Sequence, residues 1–222
     1  MLLMDIASLR RRIEQLISTD SSVFSPAIQD SGFSCVRCGW CCRENFKIRI
    51  TPDILRPSNA ISIFPGDIRR IIKGTGLARD EIDQPDIYSC LSDGDNIYAI
   101  GWILRRNDAG DCVFYMNGAC TIYEWRPMIC RCYPFFMGEH GVDVMRCEGL
   151  GNKMTRESAV DTGKLLKRYE IKKLQSYIGI IRQIGDTLKP ANLCQLQKDF
   201  SGNVLVCDGE ATINIDIDLK SE

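Results

Sequence analysis

The sequence predicts an α+β fold with short strands in its middle, a long C-terminal helix and a C-terminal hairpin. Apolar residues recur at helical spacing between residues 155 and 184, and they alternate strictly between 213 and 219. The segment between residues 33 and 151 instead shows short apolar runs separated by glycine and proline turns. We expect one domain over residues 1–222, with a core at 33–151 and a helical and hairpin extension at 155–222.

The N-terminal segment predicts an amphipathic helix. Its apolar residues recur at steps of three and four: Leu2, Ile6, Leu9, Ile13 and Leu16. The basic run at residues 10–12 lies opposite this face, so residues 1–20 are expected to dock as a helix on the rest of the chain. Residues 18–32, which contain Pro26 and several serines, predict a loop.

Short elements follow in the middle of the chain. A helix is predicted over Asp67–Lys73, entered through Pro65 and Gly66. Alternation of apolar and polar residues predicts a strand at Phe46–Ile50, and further strands are predicted at Ile97–Leu104, Cys112–Met116 and Val142–Met145. An Asn117-Gly118 turn is expected to close the third of these strands.

The C-terminal part is more regular. A long helix is predicted from Thr155 to Ile184, with an apolar face that includes Leu174 and Ile178. A short helix is expected after Pro190. The runs Val204–Val206 and 213–219 flank Asp208-Gly209, which is the signature of a hairpin.

Charge and hydropathy exclude several classes of function. The chain has 222 residues with 28 basic and 29 acidic side chains, for a net charge of -1. This balance favours neither nucleic acid nor an anionic membrane surface as a partner. No apolar run approaches the roughly 20 residues that span a bilayer. Because the basic run at 10–12 follows the first apolar residues, the order is not that of a secretory signal, and a cytoplasmic location is expected.

Cysteine is the unusual component. The chain has twelve cysteines beside a single histidine, His140, which is expected in a surface loop. Nine cysteines lie in two groups: Cys35, Cys38, Cys41 and Cys42, then Cys112, Cys120, Cys130, Cys132 and Cys147. Such a count indicates either a disulfide framework or thiolates that hold metal, and a reducing compartment favours the thiolates. Disulfides stay a minority alternative for the second group.

The first group has the spacing of a metal site. A Cys-x2-Cys step lets two sulfur atoms converge on one centre, and both zinc and iron accept this geometry. The triplet Cys35-x2-Cys38-x2-Cys41 resembles the opening of the run that binds iron-sulfur clusters in bacterial-type ferredoxins. The next residue is Cys42, and adjacent side chains in an extended backbone point to opposite sides. Cys41 and Cys42 are therefore expected to serve two centres.

The second group can complete such centres. The predicted ligands are eight: Cys35, Cys38, Cys41, Cys42, Cys112, Cys120, Cys130 and Cys147. They suffice for two four-coordinate centres or one polynuclear cluster, and we rank an iron-sulfur cluster, of the 4Fe-4S type, above zinc. Arg126 and Arg131 flank Cys130 and are expected to offset the negative charge of the thiolates.

The remaining cysteines have simpler explanations. Cys90, Cys194 and Cys207 are expected to be small buried side chains. Cys132 is either a ligand or a bystander, and the family resemblance given next slightly favours the bystander.

These residues resemble the YkgJ-type cysteine-cluster family, a zinc- or iron-chelating domain with the motif CxxCxxCC. The first motif spans residues 33–43. The second runs from Cys120 through Trp125-Arg126-Pro127 to Cys130-Arg131 and Tyr133-Pro134, preceded by Cys112 and followed by Cys147. The resemblance covers residues 33–151 and implies metal chelation through the eight cysteines named above. One relative, the flagellin lysine N-methylase, is similar in its cysteine module and is an enzyme.

The function expected from these features is binding of metal ions, in redox chemistry or in the maturation of a protein partner. The alternatives are an S-adenosylmethionine-dependent protein lysine methyltransferase and a metal-delivery protein. No G-x-G-x-x-G turn follows a predicted strand, so the usual nucleotide-binding motif is missing. Whether the protein is an enzyme stays open at this point.

Overall fold

The computed structural model describes residues 5–52, 54–88, 90–138, 141–189, 192–194, 196 and 199–219. These residues form an α+β fold, as the sequence predicts. The helices are α1 (Ile6–Ser18), α2 (Ser25–Ser31), α3 (Pro65–Thr75), α4 (Met128–Cys132) and α5 (Arg156–Ile184). In the described part of the chain, none of them combines the length and the apolar character of a membrane span.

The strands are short except for the last two. Those of the first half are β1 (Lys47–Arg49), β2 (Leu55–Pro57), β3 (Ser62–Ile63), β4 (Asp83–Pro85), β5 (Cys90–Ser92), β6 (Ile97–Ile100) and β7 (Trp102–Leu104). Those of the second half are β8 (Tyr115–Met116), β9 (Ala119–Cys120), β10 (Phe135–Met137), β11 (Val142–Val144), β12 (Leu193–Cys194), β13 (Ser201–Cys207) and β14 (Thr212–Asp218).

The strands form one five-stranded sheet and several smaller ones. The large sheet has the order β12-β5-β6-β13-β14, in which β13 pairs parallel with β6 and the other pairs are antiparallel. A three-stranded sheet has the order β3-β7-β4, and the pairs β1-β2, β8-β9 and β10-β11 stand alone. The predicted C-terminal hairpin is therefore present, and it joins the middle of the chain through β6.

Helix α5 organises the helical side of the molecule. Leu9 and Leu16 of α1 are almost fully buried, and they pack on Leu174, Tyr177 and Ile178 of α5. The predicted apolar face of the N-terminal helix therefore packs within the chain. A second apolar cluster lies nearer the start of α5 and contains Phe24, Ile28, Cys132, Phe135, Ala159, Leu166 and Tyr169.

Some sequence predictions differ from the structure. The segment 18–32 is not a loop: a 3-10 turn over Ser21–Phe24 leads into α2, which has Pro26 in its first turn, where the missing N–H costs no helical hydrogen bond. The strand predicted over Ile97–Leu104 is broken at Gly101, whose φ of 79° turns the chain from the large sheet into the three-stranded one.

Two further predictions concern shorter segments. Only Tyr115–Met116 of the predicted strand Cys112–Met116 forms a strand, although the Asn117-Gly118 turn after it is present. The short helix expected after Pro190 falls largely outside the described residues, and Leu193–Cys194 forms the strand β12.

Candidate metal centre

A tight turn holds the first cysteine motif. The Gly39 carbonyl accepts hydrogen bonds from the backbone N–H groups of Cys42 at 2.9 Å and Arg43 at 3.1 Å. Gly39 has a φ of 74°, and a Cβ at this position would lie 2.1 Å from the Tyr115 ring. Only glycine fits here, since both the conformation and the close approach exclude a larger residue.

The turn brings the sulfur atoms of Cys41 and Cys42 together. Their Sγ atoms lie 3.8 Å apart. The prediction that these two side chains point to opposite sides is wrong, because it assumed an extended backbone and the backbone here is a turn. Cys41 and Cys42 can therefore face one centre.

A second contact joins this motif to Cys112. The Cys112 N–H donates to the Cys42 carbonyl at 2.8 Å. The Asn59 side-chain amide donates to the same carbonyl at 3.0 Å and to the Gly110 carbonyl at 2.8 Å. Asn59 is 2% exposed, so its amide is a buried clamp between the two segments.

Three local structures present the other cysteines. The β8-β9 pair sets Cys120 opposite Tyr115, and α4 carries Cys130. The segment after Cys147 returns to the first motif, since the Ser34 N–H donates to the Gly149 carbonyl at 3.0 Å. These contacts explain how residues distant in the sequence reach the same place.

All eight predicted ligands line one cavity of about 60 Å³: Cys35, Cys38, Cys41, Cys42, Cys112, Cys120, Cys130 and Cys147. Apolar walls close its inner side: Ile61, Leu104, Phe114 and Ile122. In the described part of the chain, no three Cys, His, Asp or Glu side chains already converge at metal-binding distance. Closing a site around an ion therefore requires rotation of the thiols about their side-chain torsions.

The thiols of this cavity differ in acidity. The hydrogen bond between the Cys41 and Cys42 thiols lowers the pKa of Cys41 to about 7, although the Cys41 side chain is largely buried. Burial raises the pKa of Cys112 to about 12. Burial, followed by repulsion from the neighbouring sulfurs of Cys41, Cys112 and Cys120, raises the pKa of Cys130 well above its usual value. So many thiolates can form together only when a cation offsets their charge, which fits a metal site.

Positive charge surrounds part of the cavity. Arg126 lines it, and its guanidinium lies 3.5 Å from the centre of the Tyr123 ring. Arg37, also at the cavity, lies 4.6 Å from the same centre. Arg126 thus stands where the sequence predicts a charge that offsets the thiolates, and it lowers the pKa of Cys41, Cys120 and Cys130 as a minor influence.

Arg131 lies elsewhere, and its predicted position beside the cysteines is wrong. Successive residues of a helix are rotated by about 100°, so Cys130 and Arg131 of α4 face different directions. Arg131 is exposed and lines a second cavity between α3, α4 and α5.

The remaining cysteines do not line the cysteine cavity. Cys132 is 1% exposed and belongs to the apolar cluster beneath α5. Cys90 and Cys207 are fully buried, and Cys194 lies opposite Cys90 in the β5-β12 pair. All twelve cysteines are free thiols. His140 lies outside the described residues.

Sequence reasoning missed three residues that shape the site: Asn59, Tyr115 and Arg37. Asn59 lies far from both motifs in the sequence, and nothing in its local pattern indicates a contact with Cys42. A signal exists for the other two, because Arg37 is inside the first motif and Tyr115 follows Cys112 by three residues.

Comparison with known proteins identifies the cysteine module. The family model CxxCxxCC, described as "Putative zinc- or iron-chelating domain", matches residues 34–162, more than half of the chain. Neither a curated protein nor a solved structure matches the chain significantly. The matched range contains all eight cysteines of the cavity.

Proposed function

Since the chain belongs to the CxxCxxCC family, we propose that it binds metal through the thiolates of the eight cavity cysteines. The observation that carries this proposal is the lining of one cavity by sulfur atoms from both cysteine groups. The apolar inner wall excludes water, and Arg126 supplies a nearby positive charge. Arg126 offsets the negative charge of a thiolate centre, and the apolar wall limits the access of solvent to it.

An iron-sulfur cluster is the first form of this centre. A structural zinc ion and a 4Fe-4S cluster each take four thiolates, so eight thiolates suffice for two centres of either kind. The first motif also begins with the triplet that bacterial-type ferredoxins use. In this form the protein, which we assign to the cytoplasm, has a role in redox chemistry or in the maturation of a protein partner.

Zinc is the second form, and one distance is compatible with it. Zinc-sulfur bonds of about 2.3 Å in a tetrahedron set neighbouring sulfur atoms about 3.8 Å apart. The Sγ atoms of Cys41 and Cys42 have this separation of 3.8 Å. A 2Fe-2S cluster, which has four cysteines on two irons, also places two thiolates on one ion, so this separation does not by itself distinguish zinc from iron.

Anaerobic purification followed by absorption spectroscopy and elemental analysis tests both forms. Iron with acid-labile sulfide and broad absorption in the visible range identifies a cluster, whereas a colourless protein with zinc identifies the second form. A chain that holds neither metal after reconstitution with each of them contradicts the proposal.

Four cysteine substitutions, two of them on α4, test the assigned ligands. Cys130→Ser is expected to release metal, and Cys38→Ser should do the same at the rim of the cavity. Cys132→Ser, two residues from Cys130, and Cys194→Ser in the large sheet should leave the metal content unchanged. Equal metal loss in all four variants would refute the assignment.

The same preparations separate the alternatives. A protein lysine methyltransferase binds S-adenosylmethionine, which isothermal titration detects. A metal-delivery protein releases its metal to a chelator while still folded, whereas a structural site resists until the domain unfolds.

A further inference from the structure

The second cavity, into which Arg131 points, is strongly basic. It has a volume of about 640 Å³ and lies between the start of α3, α4 and the middle of α5. Six cationic side chains line it: Arg70, Arg131, Lys164, Lys167, Arg168 and Lys172. The whole chain has a net charge of -1, so this concentration of positive charge is local.

The acidic residues nearby do not neutralise the cavity. Asp67 is the acidic residue in its lining, and its carboxylate accepts hydrogen bonds from Arg70 at 2.9 Å and the Met128 N–H at 3.0 Å. Lys164 pairs with Asp161 at 2.9 Å, and Lys172 lies 3.8 Å from Glu210. Asp20 also interacts electrostatically with Lys167, so four carboxylates stand against the six cations and two positive charges are left.

Two arginines carry most of this surplus. Arg131 and Arg168 are exposed, and neither has a carboxylate at ion-pair distance among the residues that the structure describes. They come from different helices and face the same space. Two guanidinium groups arranged in this way match the paired oxygens of phosphate groups.

The cavity also has an apolar floor. Phe64, Met128, Leu165 and Ile171 lie among the charged side chains of its lining. Phe64 is itself supported by the Tyr169 ring, with ring centres 5.7 Å apart. An apolar floor with a few convergent charges is typical of small-molecule sites, and the volume lies within their usual range of about 300–1,000 Å³.

We propose that this basic cavity binds an organic diphosphate, with its phosphates on Arg131 and Arg168 and its organic part on the floor around Phe64 and Met128. The diphosphate is strongly negative near neutral pH, which complements the surplus of positive charge in the cavity. The site is separate from the cysteine cavity, although Cys130 and Arg131 are adjacent on α4 and Arg70 donates a hydrogen bond to the Arg126 carbonyl.

Isothermal titration of the full chain with inorganic pyrophosphate, ADP and inorganic phosphate tests this proposal. ADP is expected to bind more tightly than pyrophosphate because it adds the apolar contact, and single phosphate is expected to bind most weakly. Loss of one charged hydrogen-bonding partner weakens binding about tenfold or more, so Arg131→Ala and Arg168→Ala should each show this loss for pyrophosphate.

Arg182→Ala is the matched control, because Arg182 is an exposed arginine of α5 outside the cavity. Its affinity for pyrophosphate should equal that of the parent chain. Equal weakening in all three arginine variants, or no binding of ADP and pyrophosphate, would overturn the proposal. Binding of the chain to vesicles that contain phosphatidylinositol phosphates is measured as well. If the chain binds these vesicles but not ADP, the ligand of the cavity is a lipid headgroup and the proposal of a small molecule is wrong.

Discussion

Helix α4 separates two regions that both contain cysteine and that are held together differently. On one side, Cys130 faces a cavity lined by eight thiols and bounded by short strands and turns. On the other side, Cys132 is 1% exposed among the apolar side chains of α2, α5 and β10. Two residues of one helical turn thus belong to opposite environments.

The difference shows that position in the fold, rather than residue type, decides what a cysteine does. The apolar region beneath α5 needs no further component, because Leu166 and Ile28 are completely buried and their neighbours are almost so. The cysteine cavity has few regular elements and many buried thiols of raised pKa. We therefore expect its stability to depend on bound metal and that of the helical region on packing.

Metal removal has the largest expected effect and separates the two regions most clearly. A structural zinc site contributes about 10–16 kcal/mol of apparent binding free energy, and the cavity segments should lose that support. After chelation under reducing conditions, hydrogen exchange should accelerate in residues 33–43, 112–130 and 145–151. The α5 amides near Leu166 should keep their protection, whereas a uniform change along the chain would remove the distinction.

Leu166→Ala tests the opposite region. Leu166 is fully buried, and its truncation leaves a cavity that should lower the free energy of unfolding by about 2–5 kcal/mol. Urea unfolding measures this loss, and elemental analysis should show unchanged metal per chain. Ile17→Ala is the control, because Ile17 is 61% exposed and should change stability by no more than about 0.5 kcal/mol. Loss of metal in Leu166→Ala would show that the two regions are one unit.

The sequence predicts well those features that depend on local pattern. Helix α5 and the β13-β14 hairpin follow from periodicity, and the meeting of the two cysteine groups follows from the chemistry of their spacing. The prediction of Cys41 and Cys42 on opposite sides was wrong, because the φ of Gly39 decides their arrangement and periodicity does not report it.

Long-range contacts explain the other differences. The pairing of β13 with β6 joins residues about a hundred positions apart, and no local signal specifies it. The direction in which the Arg131 side chain points depends on the rotation of α4 about its own axis between α3 and α5. The eight cysteines remain predicted ligands, whose test is the metal content of the variants described above.

Asn59→Ala should weaken the cavity without removing any sulfur atom. The Asn59 amide donates to the Cys42 and Gly110 carbonyls, so its loss leaves two carbonyls without this donor and should cost about 1–3 kcal/mol. Loss of an outer partner of a metal site typically lowers metal affinity about 10–100-fold, which competition with a chelator measures. Asn203→Ala, on an exposed position of β13, is the control and should leave affinity unchanged. Parent-like affinity in Asn59→Ala would mean that the clamp is not needed for binding.

Thr155→Ala has the smallest expected effect, at the junction between the two regions. The Thr155 hydroxyl accepts a hydrogen bond from the Ser158 N–H at 3.1 Å and caps the start of α5. Its removal should lower the free energy of unfolding by about 1 kcal/mol, and Thr155→Ser should restore it because serine caps equally well. Thermal unfolding of the metal-loaded chains measures both variants. The cap supports α5 and touches no cysteine, so the bound metal should resist removal by a chelator as well as in the parent chain. Easier removal of the metal would mean that the end of the cysteine segment depends on the helix that follows it.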